Sequence, residues 1–152
     1  MENELTFTAS EVCEFANVQA STLRAWRNRN GLFPQAASLG WTRYTLDEVV
    51  ALMILSDLTK KGFEAQTSVN LVNRLRAEII DACNVGSRFI LIDEPAGDGI
   101  LDFTRLNNEF PYQFNKSIGG LFLVLNIGFY WNSLTMNRIA KFNAAKNKGG
   151  AT

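Results

Sequence analysis

The sequence predicts an α+β protein. Its amino-terminal part is mostly helical with a small wing, and a linking helix, a small antiparallel sheet and a carboxy-terminal helix follow. Three observations carry this reading. Two Thr-x-x-Glu boxes, at Thr8/Glu11 and Thr45/Glu48, open apolar-periodic segments. Helical periodicity then continues without a Gly or Pro from residue 64 to residue 82. Beyond residue 88 the pattern shifts to β-branched and aromatic runs separated by turn formers.

In the first helix the Thr8 hydroxyl is set to accept the Glu11 amide while the carboxylate reaches back, and Phe7 and Val12 stand as a hydrophobic staple. Val12, Phe15 and Ala16 give one apolar face. Asn17 ends the helix because its side chain tolerates the left-handed conformation. After a short turn, a second helix is expected over residues 20 to 28, with Leu23 and Trp26 inward and Arg24 and Arg27 elsewhere. Gly31 and Pro34 stop it. Residues 35 to 44 read as a short hairpin, the wing.

A third helix follows from Thr45 to Lys60, with Val49, Leu52, Met53, Leu55 and Leu58 at helical spacing and Gly62 as terminator. The fourth, residues 64 to 82, carries Val69, Val72, Leu75, Ile79 and Ala82 in a stripe of roughly heptad spacing. Residues 88 to 92 and 100 to 106 read as a hairpin around the turn at 94 to 99, and residues 121 to 127 as a third strand, apolar on both faces. Asn132 or Ser133 is the expected cap of a last helix reaching about Ala145. The division falls near 84 to 86, giving a unit over 1–84 and a small α+β unit over 85–152.

Composition bounds the chemistry. With 152 residues, 47% hydrophobic and 20% charged, the chain can bury a core. It contains no histidine, which removes histidine-based catalytic triads and histidine-ligated metals, so no catalytic residue, metal site or cofactor is expected. Cys13 and Cys83 lack metal or redox spacing, and Cys13 reads as a small buried hydrophobe. The longest apolar run is too short to span a bilayer, and the amino terminus lacks a signal-peptide pattern, so a cytoplasmic, nucleoid-associated protein is expected.

Fifteen basic residues balance fifteen acidic ones, but they are segregated along the chain. Between Glu14 and Asp47 there is no acid, yet Arg24, Arg27, Arg29 and Arg43 fall there. From Glu78 to Glu109 seven carboxylates face only Arg88 and Arg105. After Glu109 every charged side chain is basic. Two short helices, arginines on the second, and a hairpin bearing one more arginine describe a winged helix-turn-helix, in which acid is excluded because it would face phosphate.

The run TLRAWRNRNGLFP at 22–34, then GWTRYTLDEVVAL at 40–52 and the Lys-Lys-Gly-Phe step at 60–63 resemble the DNA-binding domain of MerR-type regulators over roughly residues 5 to 80. The resemblance implies phosphate contacts from Arg24, Trp26, Arg43 and Tyr44. Trp26 replaces the usual tyrosine, and Thr42 stands where arginine is frequent. Ser21, Thr22, Arg27, Arg29 and Lys60 complete the expected DNA-contacting set. Each has a plainer alternative: Trp26 as core, Ser21 and Thr22 as helix-start residues, Lys60 as complement to a helix C-terminus.

The expected function is a homodimeric, sequence-specific transcriptional regulator on double-stranded DNA, with RNA polymerase as a compatible partner and no membrane. An excisionase or small terminase subunit of phage type is the alternative, and an interaction module that has lost DNA binding is a third. The aromatic-rich carboxy-terminal part is small for a core of its own. It therefore packs either on the amino-terminal unit or, the preferred expectation, on a second copy.

Overall fold

The computed structural model describes residues 6–34, 43–85, 89–93, 102–105 and 122–149. These are mostly helical: α1 (Ala9–Ala16), α2 (Ala20–Asn30), α3 (Leu46–Lys60), α4 (Ala65–Val85) and α5 (Ile127–Gly149), with short strands β1 (Phe89–Asp93), β2 (Asp102–Arg105) and β3 (Phe122–Asn126). The strands form one antiparallel sheet in the order β2-β1-β3. Ile90 lies opposite Arg105 on one side of β1 and Leu125 on the other. The expected turn at 94–99 and most of the wing, residues 35–42, lie outside the described residues.

Local chemistry sets the helix ends. Thr8 N–H donates to the Glu11 carboxylate at 2.8 Å, and Glu11 N–H donates to Thr8 Oγ1 at 3.3 Å, closing the first capping box. Asn17 ends α1 in the left-handed region (φ 51°, ψ 54°), where Val18 N–H reaches the Cys13 carbonyl at 3.0 Å. The second box opens α3, with Thr45 N–H on the Glu48 carboxylate at 2.9 Å. Gly31 ends α2 at φ 71°, as expected, with the helix itself reaching Asn30, two residues beyond the expected 28, and Gly62 turns the chain between α3 and α4 at φ 95°.

The core is built around α3. Val49, Val50, Ala51, Leu52, Ile54, Leu55 and Leu58 are all buried, so α3 is enclosed on most sides and is no simple amphipathic surface helix. The apolar stripe of α4, with Val69, Val72, Leu75 and Ile79 buried, packs against α3 within the same chain. The stripe is thus covered from within the chain at Val69, Val72, Leu75 and Ile79. Arg76 reinforces the pairing, with Nε 3.1 Å from Asp47, Nη2 3.1 Å from Glu48, and its guanidinium 4.9 Å from the centre of the Phe33 ring.

The last helix departs from expectation. It begins at Ile127, directly after β3, and runs to Gly149, so neither Asn132 nor Ser133 caps it. Asn126 does: its Oδ1 accepts Phe129 N–H at 3.0 Å. Asn126, inside the segment 121–127 that reads as a strand, is thus the junction between strand and helix. α5 folds back on α3 and α4, burying Ile127 and Leu134, and Tyr130 donates its hydroxyl proton to Asp57 on α3 at 2.8 Å. Packing on the amino-terminal helices, rather than only on a second copy, supplies this part with its core. Among the described residues no helix is long and apolar enough to cross a membrane.

Candidate nucleic-acid interface

The second helix presents the arginines by burying its opposite side. Leu23 and Trp26 point into the core, exposed only 3% and 4%, and Arg24 and Arg29 are exposed. The C-terminal end of α2 is tied to α4 by side-chain amides. Gln66 Nε2 donates to the Asn30 carbonyl at 3.1 Å, Asn73 Nδ2 donates to the Gly31 carbonyl at 3.0 Å, and Asn73 Oδ1 accepts Phe33 N–H at 3.0 Å. The first two satisfy carbonyls that a helix end leaves open. The last also holds Phe33 at φ 49°, a left-handed conformation that costs a side-chain-bearing residue about 1–2 kcal/mol. Neither Gln66 nor Asn73 was singled out by the sequence, because their targets lie 36 and 42 residues away.

A groove of about 340 Å³ opens between α1 and α2, lined by Ala9, Ser10, Cys13, Ala20, Leu23, Arg24, Arg27 and Tyr44. Small side chains on both helices make the space, and Arg24 and Arg27, one turn apart, charge one wall. Arg27 is half-buried; its Nη1 donates to the Tyr44 hydroxyl at 3.2 Å, and its guanidinium carbon lies 5.7 Å from the centre of the Tyr44 ring. Burial raises the Tyr44 pKa, with the Arg27 charge and hydrogen bond opposing. Burial likewise pushes the Cys13 thiol up, opposed by Arg24, so a neutral thiol lines the groove.

The nine expected contact residues separate into groups. Ser21, Arg24, Arg29 and Arg43 are exposed, and Thr22 and Arg27 are half-buried. Arg43 Nε donates to Thr6 Oγ1 at 3.1 Å. Lys60 is exposed, and its Nζ donates to the Asn17 carbonyl at 3.1 Å, so it complements the C-terminus of α1 rather than only that of its own helix. Trp26 and Tyr44 are enclosed, with Tyr44 exposed only 1%. The Trp26 ring packs in the core, and the Tyr44 hydroxyl accepts the Arg27 hydrogen bond at the groove. The N-cap of α2 is Gln19, which makes no side-chain cap bond, so Ser21 and Thr22 lie inside the first turn and do not cap it. Among the described residues no three Cys, Asp or Glu side chains come together as a metal site.

The wing is described only at its return. Phe7 and Tyr44 form an antiparallel bridge, with Phe7 N–H on the Tyr44 carbonyl at 2.8 Å and Tyr44 N–H on the Phe7 carbonyl at 2.9 Å. Entry into α1 and exit from the wing are thereby fixed to each other.

Comparison with curated proteins finds no match to this chain. Comparison with family models finds one over residues 7–75, that of the MerR HTH family regulatory proteins. The matched span begins at the bridge residue Phe7, takes in α1, α2 and α3, and ends at Leu75 in α4. With two helices joined by a tight turn and an arginine-bearing second helix braced from behind, residues 7–75 have the order of elements of a helix-turn-helix and are similar over that span to the MerR HTH family regulatory proteins.

Proposed function

We propose that the protein is a sequence-specific, double-stranded-DNA-binding regulator of transcription. The observation that carries this reading is the acid-free surface of α2, where Arg24 and Arg29 are exposed and Arg27 lines the groove beside α1. In this reading α2 enters the major groove, and the wing at 38–44 lies on the flanking backbone with Arg43 at its return. The groove between α1 and α2 suits a stretch of sugar-phosphate backbone. Its small apolar lining accepts deoxyribose, and Arg24 on its wall accepts phosphate.

The protein acts as a homodimer, so that two copies of α2 meet two half-sites. The α4 stripe is occupied within the chain, and exposed apolar side chains remain on α4 at Ile80 and on α5 at Phe129 and Met136, which lie two turns apart. The cytoplasm and the nucleoid are the compartment this activity requires.

The test is fluorescence anisotropy of the full chain on labelled genomic duplexes over a series of salt concentrations. Affinity should fall linearly on a log–log plot with a slope set by the number of phosphates contacted, and a subset of fragments should bind more tightly than random duplex. Absence of any duplex binding at low salt rejects the proposal.

A further inference from the structure

We propose that Tyr44 is the positioning residue for Arg27, fixing the direction of its guanidinium and through it the base-pair preference of α2. This rests on the DNA-binding reading above and names a residue that shapes its specificity without touching DNA.

Arg27 stands at the edge of α2 that lines the groove, and Tyr44 lies 17 residues further on, at the end of the wing. Tyr44 is as firmly held as any residue near the groove. Its backbone makes both hydrogen bonds of the bridge to Phe7, and its ring is fully enclosed. The next residue, Thr45, is locked as the N-cap of α3. The phenol oxygen is therefore a fixed acceptor, and the Arg27 Nη1 bond to it at 3.2 Å, with the guanidinium 5.7 Å from the ring centre, fixes the far end of a long side chain.

An arginine reads guanine with a planar fork, and the contact is specific only when that plane is held in the right attitude. Direction from behind by a rigid second residue meets that need. Exposed Arg24 and Arg29 suit contacts with phosphate, which accepts a guanidinium from many directions.

The experiment compares the full chain with Tyr44→Phe, Arg27→Ala and the double variant on a duplex pool randomised over one half-site. Arg27→Ala should flatten preference at one base-pair position by about tenfold. Tyr44→Phe removes one hydroxyl and keeps the ring, so it should flatten the same position while affinity for random duplex stays within about twofold. The double variant should flatten it no further.

Arg27→Lys keeps the charge and loses the fork, and should reproduce the flattening with an unchanged salt slope; it serves also if Tyr44→Phe does not fold. In the free protein, exchange of the Arg27 side-chain N–H with water should quicken in Tyr44→Phe. Unaltered preference in Tyr44→Phe, a uniform loss across all sequences, additive effects in the double variant, or unaltered N–H exchange would each overturn the proposal. If the unsubstituted chain prefers no sequence, the DNA-binding reading fails, while the exchange measurement still judges the link between Tyr44 and Arg27.

Discussion

At the scale of single residues, burial separates the side chains that the proposed function places against phosphate from those that hold the fold. Arg24 is exposed beside the groove, whereas Trp26, two positions on, is held in the core by the same turn of helix. Arg24→Ala should therefore weaken binding to specific and random duplexes alike and reduce the salt slope by about one, because a phosphate contact carries no sequence information. Titration of both duplexes across salt measures this, and an unchanged slope takes Arg24 out of the interface. The charge pattern that points to Arg24 was legible in the sequence as an acid-free run from 15 to 46. The place of Trp26 was not, because an aromatic on a helix has the same spacing whether it packs inward or stands at the surface. Lys60 was legible as a helix-end cation, but its acceptor, the Asn17 carbonyl, lies 43 residues away.

At the scale of elements, ends were easier to read than partners. The boxes at Thr8/Glu11 and Thr45/Glu48 and the stops at Asn17, Gly31 and Gly62 use bonds spanning a few residues, so the sequence displays them directly. The α4 stripe was equally visible, but helical spacing does not say whether its cover is α3 or another copy. Arg76 joins these elements: it pairs with Asp47 and Glu48 at the start of α3 and lies over Phe33 after α2. Arg76→Ala would leave two largely buried carboxylates without their counter-charge, and a loss of about 1–3 kcal/mol in chemical denaturation is expected, discounted because the arginine is itself about a third exposed. A loss below measurement would mean that water replaces it fully. Tyr130 joins α5 to α3 in a different manner. Burial, and then the bond to Asp57, raises its pKa above the usual 10.0. The unfolded chain releases this proton near pH 10 and the folded chain later, so the stabilisation is complete below pH 10 and is lost as pH rises beyond it. Tyr130→Phe should make unfolding less sensitive to alkali between pH 9 and pH 11, measured as the change in midpoint with pH.

At the scale of the whole molecule, one buried cluster draws side chains from both sides of residue 85. Leu125, Ile127 and Leu134, from the end of β3 and from α5, belong to the same buried cluster as Val49, Leu55 and Leu75. This was hidden from sequence reading because Asn126 falls within residues 121–127, which read as a strand apolar on both faces; as the cap of α5 it turns the chain and sends the aromatic segment back across α3. A small carboxy-terminal part thus needs no separate core, and α2, the helix that carries Arg24 and Arg27, packs on α4, which in turn packs on α5. Leu134 is completely buried in that interior, so Leu134→Ala should cost about 2–5 kcal/mol as lost transfer energy and a cavity. If the interior is shared, amide exchange in α3 and α4 should accelerate in this variant together with α5, and thermal unfolding should remain a single transition at lower temperature. Two transitions, with exchange in α3 and α4 unaffected, would instead make the amino-terminal domain independent of α5, and the bond between Tyr130 and Asp57 a contact between units that fold separately.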